Sequence, residues 1–523
     1  MININSARCV GIEAEPVTVE VSIDKGIGIH LVGLADAAVK ESLLRTITAI
    51  QKLGLRVPGK KIVINLAPAD VHKKGGGYDL PIALGIIAAS GQEDLPGLGK
   101  YVIMGELGLD SSVRSVRGAL PMADLARRMG LKGCILPYDS AMEAAEMDDL
   151  EIYAVRDVEE VLVILREKDD PSDFLVFNRV REIAGTASAV ARMGFDDDFG
   201  RSDNALDFSE IVGQEAAKRG MEIAAAGGHN VALIGAPGSG KSSLAKALPG
   251  ILPPMTKKES MVVSKIYSVA GIGDHGYGLM HRRPFRSPHY STSLPAMIGG
   301  GSRDSIMPGE VSLAQSGILF IDEYLQMPKS VSEALRGPLE DRKVMISRLH
   351  SRVEYPASFM LVAAANPCPC GYYGEGDRCN CSQGMIRGYM GRMSGPILDR
   401  IDLQLWLHSV DPSKLVRQEM SETSAEIAAR VLAARKIQEE RFRDEEITVN
   451  AEMDNRMLRH YCPLSPECES LLEKVMVRTG LSARAYTRII KLARTIADLS
   501  ASTDITPAHI SEAVSYRFLD RVM

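Results

Sequence analysis

The chain has 523 residues, 45% of them hydrophobic and 24% charged, a size at which burying substantial cores is no difficulty; at about 150 residues per domain, three or four domains are expected. The formal net charge of −6 excludes a global pull toward nucleic acid or an anionic membrane, so any such contact has to be a local basic patch. No basic segment followed by an apolar one opens the chain, and no apolar run approaches about 18 residues, so a soluble, cytoplasmic protein without a membrane partner is expected.

Residues 1–168 alternate β-type patterns (17–23, 61–66, 101–104) with helical stretches (35–52, 81–90), which predicts an α+β domain. A charged, apolar-poor stretch, 169–205, opens with Asp169, Asp170 and Pro171 and reads as a linker. A third part, 206–407, carries nucleotide-binding motifs, and 408–523 is patterned almost wholly as helix.

In that third part Gly235, Ala236, Pro237, Gly238, Ser239, Gly240, Lys241 and Ser242 fit G-x-x-x-x-G-K-[ST], directly after an apolar run at 231–235. Glycines let backbone N–H groups close around phosphates, the lysine offsets their charge, and the serine hydroxyl ligates Mg²⁺. Helix formers resume at Ser242 and Ser243, so phosphates would sit at a helix N-terminus, where unpaired amides favour anions. Downstream, 281–290 interleaves Arg282, Arg283 and Arg286 with Phe285, as a surface for single-stranded nucleic acid requires; a solvated loop pairing its arginines with local acids is the alternative. An apolar strand at 317–321 then ends in Asp322 and Glu323, a Walker B pattern: Asp322 to hold Mg²⁺, Glu323 to polarise the attacking water.

Basic residues Lys343, Arg348 and Arg352 fall in an alternating stretch that predicts a β-hairpin able to meet phosphates. The strand at 359–365 ends at Asn366-Pro367, where a polar side chain can sense the γ-phosphate or simply make an Asx turn. Cys368, Cys370, Cys379 and Cys381 form two C-x-C pairs that can hold one tetrahedral Zn²⁺; free thiols or a redox pair are the competing readings. The other four cysteines are scattered, which suits a reducing compartment.

The ordered set of P-loop, R-P-F-R-x-P-H, P-G-E-V-S-L-A, Walker B, N-P-C-x-C-G and G-P-I-L-D-R-I-D resembles the ComM/YifB family of magnesium-chelatase-like AAA+ ATPases over essentially the whole chain. The resemblance implies an α/β AAA+ core, a parallel sheet between helices, with an inserted basic segment and a pre-sensor hairpin. It further implies a C-terminal helical lid and a homohexameric ring using ATP and Mg²⁺. By position it makes Lys241 and Ser242 the phosphate and Mg²⁺ contacts, Asp322 and Glu323 the Walker B pair and Asn366 sensor 1. Arg400 becomes an arginine finger for the neighbouring subunit, with a surface salt bridge to Asp399 or Asp402 as the alternative. Arg484 becomes sensor 2, with Arg488 one turn away competing, and Gly213 and Gln214 lie against the adenine. The N-terminal part resembles the Lon-protease fold, but Gly77 and Leu120 stand approximately where Lon proteases carry serine and lysine, so Ser–Lys chemistry cannot run. His72, Lys73 and Lys74 remain there as a small basic cluster or a solvated loop. The implied function is a DNA motor, a branch-migration or helicase ATPase of recombination or natural transformation, with recombination proteins as partners. A chelatase-type ATPase remodelling a partner protein is the alternative, and an ATP-dependent chaperone or protease-like protein the third.

Overall fold

The structure is a computed structural model that describes the chain apart from residues 35, 71, 74, 148, 185–205, 273–277, 302–305, 349–350, 411–420, 481 and 520–523. Most of the expected linker and Lys74 thus lie outside the described residues, as does the side chain of Arg348.

The N-terminal sheet has seven strands, in the order Gly28–Val32, Lys61–Ala67, Glu13–Asp24, Ile2–Val10, Tyr101–Ile103, Gly133–Pro137 and Glu151–Val155. Its centre is the long antiparallel pair Ile2–Val10 and Glu13–Asp24, in which Ile4 faces Val19. Val17, Val19 and Val21 are buried while Thr18 and Glu20 are not, the period-two alternation that pins register where one face meets a core. The helix Asp79–Ser90 is buried from Asp79 to Ile87 and packs on this pair, which explains its lack of a polar face.

The next sheet is parallel throughout. Its order is Phe285–Arg286, Ile318–Ile321, Met360–Ala365, Val231–Gly235 and Leu403–Leu407. Alternate residues feed cores on opposite faces: Val231, Leu233, Phe320 and Val362 on one side, Ala232, Ile234, Leu319 and Leu361 on the other. Burial on both faces is why these strands read as continuous apolar runs. The chain enters this sheet through Val231–Gly235 and later lays strands on both sides of it, a topological switch point that opens a crevice at the carboxyl ends.

The stretch 281–290 corrects the expectation of an inserted basic segment, because it supplies the edge strand Phe285–Arg286 of this sheet. A short helix, Leu294–Ile298, comes next in the chain, and then a small ribbon pairing Gly299–Gly300 with Met307–Pro308. Strands Lys343–Arg348 and Ser351–Pro356 form an antiparallel hairpin in which Ile346 faces Val353.

Helices Ser424–Arg441, Asn455–Tyr461, Pro466–Thr479, Ala483–Leu499 and Pro507–Ser515 make up the C-terminal region, and Thr423, Asp454, Ser465 and Ser482 cap four of them through side-chain oxygens. A buried polar clamp ties these helices to the parallel sheet. His229 Nδ1 lies 3.2 Å from Asp402 Oδ2 and its Nε2 lies 2.8 Å from Thr495 Oγ1, while Arg488 donates to Asp402 Oδ1 at 2.8 Å. The N-terminal domain meets the helix Lys257–Ala270, where Lys265 Nζ donates to Asp124 at 2.9 Å and to Glu13 at 3.0 Å.

Candidate active site

The loop after Val231–Gly235 needs its glycines for two separate reasons. A Cβ at Gly235 would stand 2.4 Å from the Leu407 carbonyl oxygen, so a side chain there collides with the neighbouring strand. Gly238 and Gly240 have φ of +77° and +93° and would meet nothing within 4 Å, so their backbone turns toward open space. The helix Lys241–Ala247 starts immediately, directing its unpaired amides at the same space.

Lys241 is 8% exposed, and its Nζ donates to the carbonyls of Gly235 at 2.6 Å and Ala236 at 2.9 Å, and to Asn366 Oδ1 at 3.2 Å. Burial lowers its pKa and the Asp322 carboxylate opposes that shift, so the ammonium is held among oxygens that phosphate oxygens can replace. Ser242 Oγ donates to Asp322 Oδ2 at 2.9 Å, which joins the P-loop to the strand Ile318–Ile321 and sets side by side the two oxygens a Mg²⁺ would require. Asp322 Oδ1 accepts from the Glu323 amide at 2.9 Å, and Glu323 itself is exposed with φ +50°. Left-handed backbone in a non-glycine residue costs about 1–3 kcal/mol and persists where its surroundings over-determine it. Here the turn Tyr324–Gln326 does so: Tyr324 is 2% exposed and its hydroxyl meets Ser332 Oγ at 2.6 Å. Gln214 lies over the loop, donating to the carbonyls of Ser239 at 3.0 Å and His408 at 2.5 Å. Gly213, with φ +68°, turns the chain into that position.

Cys368, Cys370, Cys379 and Cys381 converge. All four Sγ atoms lie within 4.8 Å of one another, with 3.3 Å between Cys368 and Cys370 and 3.8 Å and 3.7 Å from these to Cys379. A tetrahedral ion with Zn–S bonds of about 2.3 Å needs sulfurs ~3.8 Å apart, so the set fits such an ion. The Tyr372 backbone N–H and the Cys368 thiol hold the Cys370 thiol well below the ordinary range, which favours a thiolate at the exposed corner.

Arg400 and Arg484 come together, but not beside Lys241. Asn230 precedes the P-loop strand, and its side chain donates to the Arg400 carbonyl at 2.9 Å. Arg400 therefore sits at the opposite edge of the sheet, about 16 Å away at ~3.3 Å per strand residue. There a pocket of ≈ 390 Å³ is lined by Arg342, Arg400, Arg484, Arg488 and Lys491 together with acidic residues. Arg484 pairs with Asp399 at 2.9 Å and Arg488 with Asp402 at 2.8 Å. Arg400 is 4% exposed, donates to the Pro396 carbonyl at 2.6 Å and pairs with Glu340, a partner distant in sequence, while its buried Nε has no hydrogen-bond partner. The acids flanking Arg400 in sequence are thus engaged by the lid arginines instead.

The basic candidates separate. Arg283 bonds Glu259 at 2.9 Å and the Ser316 carbonyl at 2.6 Å, and Arg286 grips Glu310 through two bonds of 2.7 and 2.8 Å. Phe285 stacks on Phe320 at 6.0 Å. This corrects the expectation for Arg283, Phe285 and Arg286, whose guanidiniums and ring are committed to holding an edge strand. Arg282, Arg352 and Lys343 are exposed, the last paired with Glu354 at 3.1 Å. Lys73 is buried with its amine on the Pro68 carbonyl, which withdraws it from any surface cluster; His72 is exposed. Glu340, Arg342 and Lys491 went unnoticed in the sequence because no local motif marks them.

A P-loop at the switch point of a parallel sheet, paired acids on a neighbouring strand, a polar side chain on the strand between and an α-helical C-terminal region define a magnesium-chelatase-like AAA+ ATPase. Family models agree: "Magnesium chelatase, subunit ChlI" matches residues 207–415, "Subunit ChlI of Mg-chelatase" residues 19–140, and "Magnesium chelatase, subunit ChlI C-terminal" residues 421–517. The protein YifB of Escherichia coli is 39% identical over 522 residues, covering 99% of this chain and 97% of its own. The competence protein ComM of Haemophilus influenzae is 38% identical over 520 residues, with the same coverage. Lon protease 2 of Bacillus subtilis is 27% identical over 173 residues, 30% of each chain. The chain belongs to the ComM/YifB family of magnesium-chelatase-like AAA+ proteins.

Proposed function

We propose that this protein is a homohexameric ring ATPase that couples ATP hydrolysis to movement on branched or single-stranded DNA, with each active site completed by the next subunit. The observation that carries the reading is the separation of Arg400 and Arg484 from Lys241 by the full height of the parallel sheet. In a ring, the edge bearing Arg400 on one subunit faces the carboxyl edge of its neighbour. The neighbour's γ-phosphate then takes the place of Glu340 on Arg400, and Arg484 approaches from the same side.

Lys241 and the loop amides bind the β- and γ-phosphates, and Gln214 with Gly213 borders the adenine. Mg²⁺ held by Ser242 and Asp322 would neutralise charge developing between those phosphates. Glu323 orients a water in line with the γ-phosphorus and takes up its proton as the bond to the leaving ADP breaks. Asn366, bonded to Lys241, distinguishes ATP from ADP by meeting the γ-phosphate.

DNA is supported by the exposed basic side chains of Arg282, Lys343 and Arg352, the last two on one hairpin, and by a relative named as a competence protein. Recombination proteins are the corresponding partners. The N-terminal domain, 1–168, serves as a Lon-like positioning domain without peptidase chemistry, because Gly77 and Leu120 offer neither nucleophile nor base. The cysteine set holds a structural Zn²⁺, and the free, scattered remaining cysteines support a reducing, cytoplasmic setting. Among the described residues no helix is long and apolar enough to cross a membrane. The chelatase descriptions of the matching models favour, as a second reading, an ATPase that remodels a protein partner.

One experiment separates these readings: ATP turnover against protein concentration, with and without a four-way junction. The motor reading expects specific activity to rise with assembly and again with DNA, and DNA binding to weaken steeply with salt. Turnover and binding indifferent to DNA at low salt would sink the motor and leave the remodelling ATPase.

A further inference from the structure

We propose that the four-cysteine site is a metal-dependent brace for the nucleotide site, so that Zn²⁺ occupancy sets the rate of ATP hydrolysis; this rests on the zinc and sensor readings above.

The loop that carries the thiolates begins where the sensor strand ends. Cys368 is fully buried and stands two residues beyond Asn366, whose Oδ1 accepts from Lys241. Past Cys370 the chain turns through Gly371 at φ +88°, where a Cβ would stand 2.8 Å from Pro237 Cδ, inside the P-loop. It continues over the strand Leu403–Leu407: a Cβ at Gly374 would lie 2.9 Å from Trp406 Cζ2, Tyr373 meets the Trp406 ring edge-on at 6.2 Å, and Glu375 accepts from the Ser409 amide at 2.9 Å. Cys379 and Cys381 return against the same core as Ile234 and Ala365. One short loop therefore touches the P-loop, the sensor residue and the strand beyond them.

Beyond these contacts with Trp406 and Ser409, the loop has little packing of its own. Between Gly371 and Cys381 the described residues include no fully buried side chain, and regular structure is limited to the turn Gly376–Arg378. Its seat on Pro237 thus leans on whatever ties the four sulfurs together, because the Trp406 and Ser409 contacts lie further along the loop. A closed S₄ set suits Zn²⁺ as a structural ion, with no open position for catalysis. Without the ion, four converging thiols lose their common centre, and the Cys368–Gly371 turn is free to shift against Pro237 and Asn366. Misplacement of such groups by about 1 Å costs on the order of a hundredfold in rate.

The chain's one tryptophan, Trp406, lies under this loop and gives a readout independent of turnover. The full-length protein is purified without added metal, its zinc is counted, and it is stripped with a thiol-competing chelator and reloaded with Zn²⁺. We expect one zinc per chain. Stripping should shift Trp406 emission, abolish the emission change on ATP addition and lower kcat by about ten- to a hundredfold, with KM for ATP within about threefold, all restored by Zn²⁺. Gly371→Ala should keep its zinc and still lose kcat, which covers the case in which Cys379→Ser/Cys381→Ser does not fold. A protein verified as zinc-free that turns over at the loaded rate with an intact ATP response of Trp406 overturns the brace. Folded, active protein isolated without zinc overturns it at the metal itself, leaving the ATPase reading intact. If wild type shows no turnover, the ATPase reading fails, and the zinc dependence of the Trp406 response to ATP still decides the brace.

Discussion

Arg400→Ala tests the shared site most directly, because its effects on stability and on rate have different sizes. The ion pair it removes has one exposed end: the Glu340 side chain is 57% accessible, so releasing it costs no more than about 1 kcal/mol. Burial of the arginine stem adds a packing loss of similar order. A trans arginine, where measured in GTPases, is worth about 10³–10⁵ in rate, or roughly 4–7 kcal/mol at the transition state. The variant should therefore fold and assemble with a modestly lower melting temperature while its turnover collapses. The decisive assay mixes it with Lys241→Ala, which keeps Arg400 but lacks the P-loop amine. In randomly mixed rings a composite site needs Lys241 from one variant and Arg400 from the other, so roughly a quarter of wild-type turnover returns (½ × ½). If Arg400 acted within its own subunit, no mixture would recover activity. Absence of recovery in rings shown to be mixed would refute the trans assignment.

Glu323→Gln should retain ATP binding and assembly while turnover falls by about 10²–10⁴, the range for losing a general base; persistent hydrolysis would remove Glu323 from that role. Arg282→Glu with Arg352→Glu should weaken DNA binding and reduce the slope of log K against log salt by about two, and an unchanged slope would place DNA elsewhere. Stability should fall on acidification. Burial depresses the His229 pKa, and although burial opposes it at Asp402, Arg488 and His229 hold that carboxyl well below the usual range. Both groups bind protons more readily unfolded, so their contribution is complete above about pH 6.5 and is lost as pH falls below it, the carboxylate share going below about pH 4. Melting temperature against pH should show this, His229→Gln should flatten the slope between about pH 7 and 5.5, and a midpoint that rises on acidification in wild type would contradict the assignment.

Much of the molecule is legible in one dimension because its causes are local. The P-loop glycines, the apolar strand ending in Asp322 and Glu323, and the helical patterning of the C-terminal region each act within a few residues of themselves, so motif and period reveal them. The alternation at 17–23 likewise states which face is buried before any partner is known. The basic stretch at 281–290 shows where this stops. Its composition is equally that of a nucleic-acid surface and of an edge strand, and only Glu259 and Glu310, brought in by the fold, decide that Arg283 and Arg286 are committed.

The sequence alone determined that the chain carries a P-loop, a strand ending in paired acids and four clustered cysteines, because each of these is written in a short local stretch. Tertiary structure alone decided the rest. It set Arg400 and Arg484 at the far edge of the sheet from Lys241, gave Arg400 to Glu340 rather than its sequence neighbours, and seated the cysteine loop on Pro237. Those placements follow from strand order and helix packing, which join residues far apart in the chain and leave no local period behind.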